Sequence, residues 1–258
     1  QASFMILLDH DSAKVEKLDA LVAKEMGFDK VFEISGQTYT RKQDVRIFAA
    51  LEGLAGSSHK CATDIRLLSH LGELVEGREE KQVGSSAMPH KHNPIYSERI
   101  CSLARFLLSL CQNPSYTHAT QWLERTLDDS AGRRIVIPES FLTADAILCL
   151  LTHVFSHLQV HPEKIEKNLA EHVDELALEN ILMHAAKKGK DRQEVHEKLR
   201  ENPKNAKELG LSEEEIESCK RVEIGRAKEQ VNAFLKNQIF PFLDKHKGLE
   251  KAFFEIKT

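Results

Sequence analysis

KQDVRIFAALEGLAGSSHKCATDIRLLSHL, residues 42 to 71, is the stretch that decides the fold. Ile47, Leu51, Leu54, Ser58, Cys61, Ile65 and Leu68 recur at alternating steps of four and three, which keeps them on one face of an α-helix. Gly53 and Gly56 weaken the helix locally but permit close approach of a neighbour. Phe48, Ala49, Ala50 and Ala55 widen the apolar face beyond the seam of a two-stranded coiled coil, so the spacing predicts a helix packed in a bundle. A helix this long draws most of its stability from partners, in its own chain or in other subunits.

The same pattern recurs on both sides. Asp9 to Met26 reads as a helix with an acidic, Ser-containing start, stopped by Gly27, and Phe28 to Ile34 reads as extended. A second long helix is predicted from Asp129 to His157, with Phe141, Ala144, Leu148, Leu151, Phe155 and Leu158 on its apolar face and a kink or break at Pro138. His161-Pro162 marks a boundary. Shorter helices follow over Pro162 to Val173, Glu175 to Lys188 and Asp191 to Arg200. A loop runs from Asn202 to Gly210, a helix starts at Ser212 to Glu215, and a last helix runs from Arg226 to Asp244 with Val231, Leu235 and Phe242 on its apolar face. The fold class is all-α: a long-helix bundle over 1–160 and a smaller C-terminal helical domain over 161–258.

With 41% hydrophobic residues in 258, the chain can supply a sizeable core. Its formal net charge of −4 gives no bulk attraction to nucleic acid or to an anionic membrane, so any anion site must come from local cations. Five cysteines without paired metal-ligand spacing point to a reducing compartment, and no metal site is expected. No apolar run is read as long enough to span a bilayer, and the expected location is cytoplasmic. The opening Gln1-Ala2-Ser3-Phe4 has no initiator Met, and the chain is expected to be a piece of a longer protein.

Chemistry concentrates in Gly84-Ser85-Ser86-Ala87-Met88-Pro89-His90-Lys91-His92-Asn93-Pro94. Small residues, hydroxyls and two prolines suit neither a helix interior nor a strand, so this is a loop. The helix-compatible run from Ile95 to Leu110 follows, which places Asn93 near an N-cap and Pro94 at the first helical position. A helix N-terminus with Lys91 beside it favours carboxylates and stabilises a serine oxyanion, Ser85 or Ser86.

This loop, with Glu98 just beyond it, resembles the signature loop of the fumarase/aspartase superfamily. Ser35-Gly36-Gln37-Thr38-Tyr39-Thr40-Arg41-Lys42 and Gln121-Trp122-Leu123-Glu124-Arg125-Thr126-Leu127-Asp128-Asp129-Ser130 resemble the branch that acts on a succinylated purine nucleotide. The resemblance runs from Gln1 to about Arg200, and residues 201–225 depart from the pattern by being short. It implies a β-elimination that releases fumarate, with no metal or organic cofactor. The implied assembly is a homotetramer whose active sites are shared between subunits.

Carried over residue by residue, the resemblance makes Ser85 the base, Lys91 and Asn93 the groups that stabilise the carboxylate as charge builds, and Met88 a further contributor in the same loop. Glu98 is the carboxylate that pairs with an acid histidine; by itself it also reads as a first-turn acid answering a helix dipole. Arg99 and Gln37 are substrate contacts, Gln37 to the succinyl portion, though alone they read as a solvated cation and a turn glutamine. Arg125, Ser130 and Arg134 hold the phosphate and ribose side, for which bidentate guanidinium groups are suited. None of the thirteen histidines lies in a segment matching the acid motif, which is expected upstream of Gln1. The other readings of the residues are a superfamily lyase acting on argininosuccinate, aspartate or malate, and a non-catalytic helical scaffold.

Overall fold

The computed structural model describes residues 1–77, 93–123, 125–202 and 208–248. Its described elements are α1 (Ala2–Leu7), α2 (Ser12–Glu25), α3 (Lys42–His70), β1 (Leu74–Val75), α4 (Ile95–Cys111), α5 (Asn113–Ala119), α6 (Asp129–His157), β2 (Gln159–Val160), α7 (Pro162–Lys187), α8 (Arg192–Glu201), α9 (Glu213–Cys219), α10 (Ala227–Phe234) and α11 (Phe240–Lys245). A five-residue π-helical turn, Leu235–Ile239, joins the last two. The class is all-α, as the spacing predicts.

Contacts divide the chain into two compact units, residues 1–61 with 99–148 and residues 62–98 with 149–258. In the first, Asp11 caps α2 by accepting from Ala13 and Lys14 amides, and Gly27 ends the helix in the left-handed region at φ +78°. The Phe28 to Ile34 segment is not a strand.

α3 and α6 have the expected extents, but each is rotated relative to the predicted seam. On α3 the buried stripe is Asp44, Phe48, Ala55, Ser58, Ala62 and Ile65: Ser58 and Ile65 of the predicted seam are joined by the flanking Phe48 and Ala55, whereas Ala49, Ala50 and Ile47 are exposed. On α6 it is Val136, Ser140, Thr143, Ala144, Ile147, Leu150 and Val154, so Ala144 of the predicted face is buried, whereas Phe141, Leu148 and Phe155 are 48%, 46% and 57% exposed. The buried hydroxyls of Ser58 and Thr143 donate to the carbonyls four residues back, Leu54 and Glu139, and so keep a partner inside an apolar stripe. Helix geometry continues through Pro138, so the chain has no break there. By length and composition α6 is also apolar enough to cross a membrane, because both its faces carry large apolar residues; the same pattern marks a helix packed on both faces.

In the second unit β1 and β2 pair antiparallel, Leu74 with Val160 and Val75 with Gln159, and the His161 amide extends the ladder to the Glu73 carbonyl at 2.8 Å. Residues 162–187 form one helix, not two, so Asp174 lies in its interior. α7, α8 and α9 close over a core of Ala177, Ile181, Leu182, Ala185, Val195, Leu199, Leu209, Leu211 and Cys219. Ser212 and Glu215 form a reciprocal capping box that starts α9. The last helices bury no side chain, and the expected apolar face at Val231 and Phe242 is exposed.

Candidate active site

In the first unit, a lock of buried charges joins the Ser35–Lys42 segment to the start of α6. Arg41 is buried; its Nε donates to Asp129 Oδ2 at 2.6 Å and its amide donates to Gln121 Oε1 at 3.1 Å. Asp44, one turn into α3, accepts from the Tyr39 hydroxyl on Oδ1 and from Arg133 Nε on Oδ2, each at 2.8 Å. Arg133 Nη2 also donates to the Tyr39 oxygen. The Arg41 and Arg133 guanidinium carbons lie 4.7 and 5.6 Å from the centre of the Tyr39 ring.

Each guanidinium therefore has its own carboxylate, and one phenol links them. Burial, and then the bond to Asp44, push the Tyr39 phenol above its ordinary range. Burial works against the Arg133 charge, but the Asp44 carboxylate more than offsets it and holds Arg133 above its usual range. Asp129 Oδ1 and Thr38 Oγ1 are buried with no hydrogen-bond partner among the described residues.

The lock brings together three residues implied by the resemblance. Gln37 stands two positions before Tyr39, Ser130 follows Asp129, and Arg134 follows Arg133. Gln37 and Arg134 are exposed and Ser130 is half-buried, close in sequence to side chains tied into the lock. Arg125 is exposed on the connection that precedes α6. The residues that build the lock carry no local spacing signal, since its ion pairs span 88 and 89 positions.

In the second unit, Asn93 and Glu98 stand at the start of α4, both exposed. Arg99 follows Glu98, is exposed, and is grouped with the first unit. Ser85, Ser86, Met88 and Lys91 lie outside the described residues. α4 begins at Ile95, one residue later than expected, and its first-turn amides have partners among the described residues. Glu76, buried at the end of β1, accepts the Tyr96 amide on Oε2 at 3.0 Å and the Ser97 amide on Oε1 at 2.7 Å, and Oε1 also accepts the Ser97 hydroxyl. The Ile95 amide reaches the Asn93 carbonyl at 2.9 Å and the Glu98 amide the Pro94 carbonyl at 3.0 Å. All four first-turn donors are thus used within the chain, and the positive end of the dipole is answered by Glu76. The sequence offers no local sign of this cap, because Glu76 is twenty positions away.

Residues 12–106 match a family model described as Lyase. The adenylosuccinate lyase of Saccharomyces cerevisiae is 44% identical over 261 residues, covering 93% of this chain and 54% of the yeast protein. That of Schizosaccharomyces pombe is 41% identical over 271 residues, covering 96% of this chain and 56% of that protein. The chain spans about half the length of the curated relatives it matches. Among solved structures, the 3-carboxy-cis,cis-muconate lactonizing enzyme of Pseudomonas putida superposes with a TM-score of 0.70 at 21% identity, covering 89% of this chain and 55% of that one, a likeness of fold. The chain therefore shares a helical fold with these solved structures and carries a segment similar to the Lyase family model. Over more than nine-tenths of its own length the chain is similar to proteins named adenylosuccinate lyase.

Proposed function

We propose that the complete protein is an adenylosuccinate lyase, eliminating fumarate from adenylosuccinate to leave AMP, and from the succinylated aminoimidazole carboxamide ribotide of purine biosynthesis to leave its carboxamide. The observation that carries this reading is identity above 40% to proteins of that name over more than nine-tenths of the chain, spanning both the signature loop and the Gln121–Ser130 segment.

In this reading Ser85, as alkoxide, removes the proton on the succinyl carbon next to one carboxylate. The electron pair first builds on that carboxylate, where Lys91 and the Asn93 amide stabilise it. It then forms the carbon–carbon double bond as the carbon–nitrogen bond breaks, and the departing nitrogen takes a proton from an acid histidine paired with Glu98. Because the first-turn amides of α4 are already used, the stabilising charge falls to Lys91 and to the Asn93 side chain. Met88 and Arg99 complete the contacts at this end. Gln37 holds the succinyl portion, and Arg125, Ser130 and Arg134 hold the phosphate and ribose. The chemistry draws on no cofactor.

The acid histidine belongs to a portion upstream of Gln1, and the site is completed between subunits of a homotetramer. The exposed apolar residues of α6, Ile135, Phe141, Leu142, Leu148 and Phe155, support assembly through that helix. Five free cysteines suit a cytoplasmic location.

The test is fumarate release from adenylosuccinate by these 258 residues alone and by the complete protein. Release only by the complete protein, inhibited by AMP, is expected. A folded complete protein that releases none would overturn the reading, and failure of AMP to inhibit would move the substrate to a small diacid lyase.

A further inference from the structure

The segment that carries Ser85 and Lys91 leaves the described chain after Gly77 and returns at Asn93, and both ends are held by one cluster in the second unit. Glu76 takes the amides of Tyr96 and Ser97, as given above. Tyr96, fully buried, meets the His153 ring edge-on with centroids 4.5 Å apart, and His153 in turn lies 4.5 Å from the ring of His157, one turn further along α6. Gly77 sits against that same turn: a Cβ on it would lie 2.3 Å from His157 Cβ and 2.6 Å from the His157 carbonyl oxygen. Glu76-Gly77 and Tyr96-Ser97 are therefore seated together on the His153–His157 turn.

We infer that Glu76 is a positioning residue for the elimination: its carboxylate clasps the first turn of α4 and thereby sets where Asn93 and Glu98 stand. The physical grounds are direct. A buried carboxylate is retained where its oxygens are filled, and here they take two amides and one hydroxyl. The bonds end on the two residues between Ile95, whose amide holds the Asn93 carbonyl, and Glu98 itself. Glu76 does not touch the substrate in this account. Since Arg125, Ser130 and Arg134, and Gln37 at the succinyl portion, are not members of the clasp, losing it misplaces reacting groups while leaving these substrate contacts in place. This inference rests on the lyase reading above.

The experiment compares the parent complete protein with Glu76→Gln and Glu76→Ala, measuring kcat and KM for adenylosuccinate together with hydrogen exchange at the Tyr96 and Ser97 amides. Gln keeps the reach of the side chain but replaces one acceptor oxygen with a donor, so at least one amide loses its partner. Expected are faster exchange at these two amides and a kcat lowered roughly 10- to 100-fold with KM little changed, the Gln variant less affected than Ala. If Ala does not fold, Gln alone decides. A Gln variant with parental kcat, or a loss carried by KM, overturns the inference. If the parent itself releases no fumarate, the lyase reading has failed, and the exchange rates still decide whether Glu76 holds the helix start.

Discussion

Asp44→Asn is the perturbation that weighs the lock most directly, because it removes a charge without changing the volume of the side chain. Asp44 accepts two bonds, from the Tyr39 hydroxyl and from Arg133 Nε, both at 2.8 Å. Hydrogen bonds to charged groups contribute about 1.5–3 kcal/mol each. Asn retains one carbonyl oxygen and so keeps one donor satisfied, which leaves one charge-assisted bond lost. Arg133 would then keep its charge beside a neutral amide. A fully buried orphaned charge costs about 3–5 kcal/mol, but the Arg133 side chain is 20% exposed and water screens part of it. The expected loss is about 2 kcal/mol. The assay is denaturant unfolding of the complete protein at fixed concentration, reading the shift in midpoint at constant slope. Glu194→Gln is the control, since it breaks an ion pair with Lys198 of similar length, 2.8 Å, on the open surface, where no measurable shift is expected. If Asp44→Asn shifts the midpoint no more than Glu194→Gln does, the lock does not hold the unit together. With the lock loosened, KM for adenylosuccinate should rise more than kcat falls, because Gln37 and Arg134 ride on it.

Ser85→Ala in the complete protein should abolish turnover while leaving substrate binding, followed by calorimetry, largely intact; unchanged turnover removes Ser85 as the base. Gly77→Ala should lower thermal stability by about 1–3 kcal/mol or more, because the new methyl meets the backbone of His157, and a neutral result would show that Gly77 does not sit against that turn. Burial pushes the Cys111 thiol up to about 11. Its folded pKa exceeds the unfolded value, so its stabilisation is complete below the unfolded pKa of about 8.5 and is lost as pH rises from there through about 11. Cys111→Ala should flatten that alkaline part of the stability profile, and an unflattened profile would count against the shift. Ser212→Ala removes the capping box of α9 and should cost about 1 kcal/mol, read as faster amide exchange confined to that helix.

The sequence by itself determined the elements whose causes are local. α3 and α6 were predicted to within a residue of their observed ends. Asp191 and Ser212 appear at the helix starts their side chains dictate, because a cap acts on amides two or three residues away. The signature loop and the Gln121–Ser130 segment carried the resemblance to a family, since motif residues are adjacent in the chain. Tertiary structure alone decided which face each long helix turns inward. α6 carries apolar residues on more than one face, so the Phe141–Leu148–Phe155 stripe and the Ser140–Ile147–Val154 stripe are both admissible by period, and only packing chose the second. It alone also decided that Glu76 closes the α4 N-terminus and that Asp44 and Asp129 neutralise Arg133 and Arg41. Those bonds join positions 20 to 89 residues apart, and spacing along the chain carries information only where one helical turn or one strand pair brings residues together.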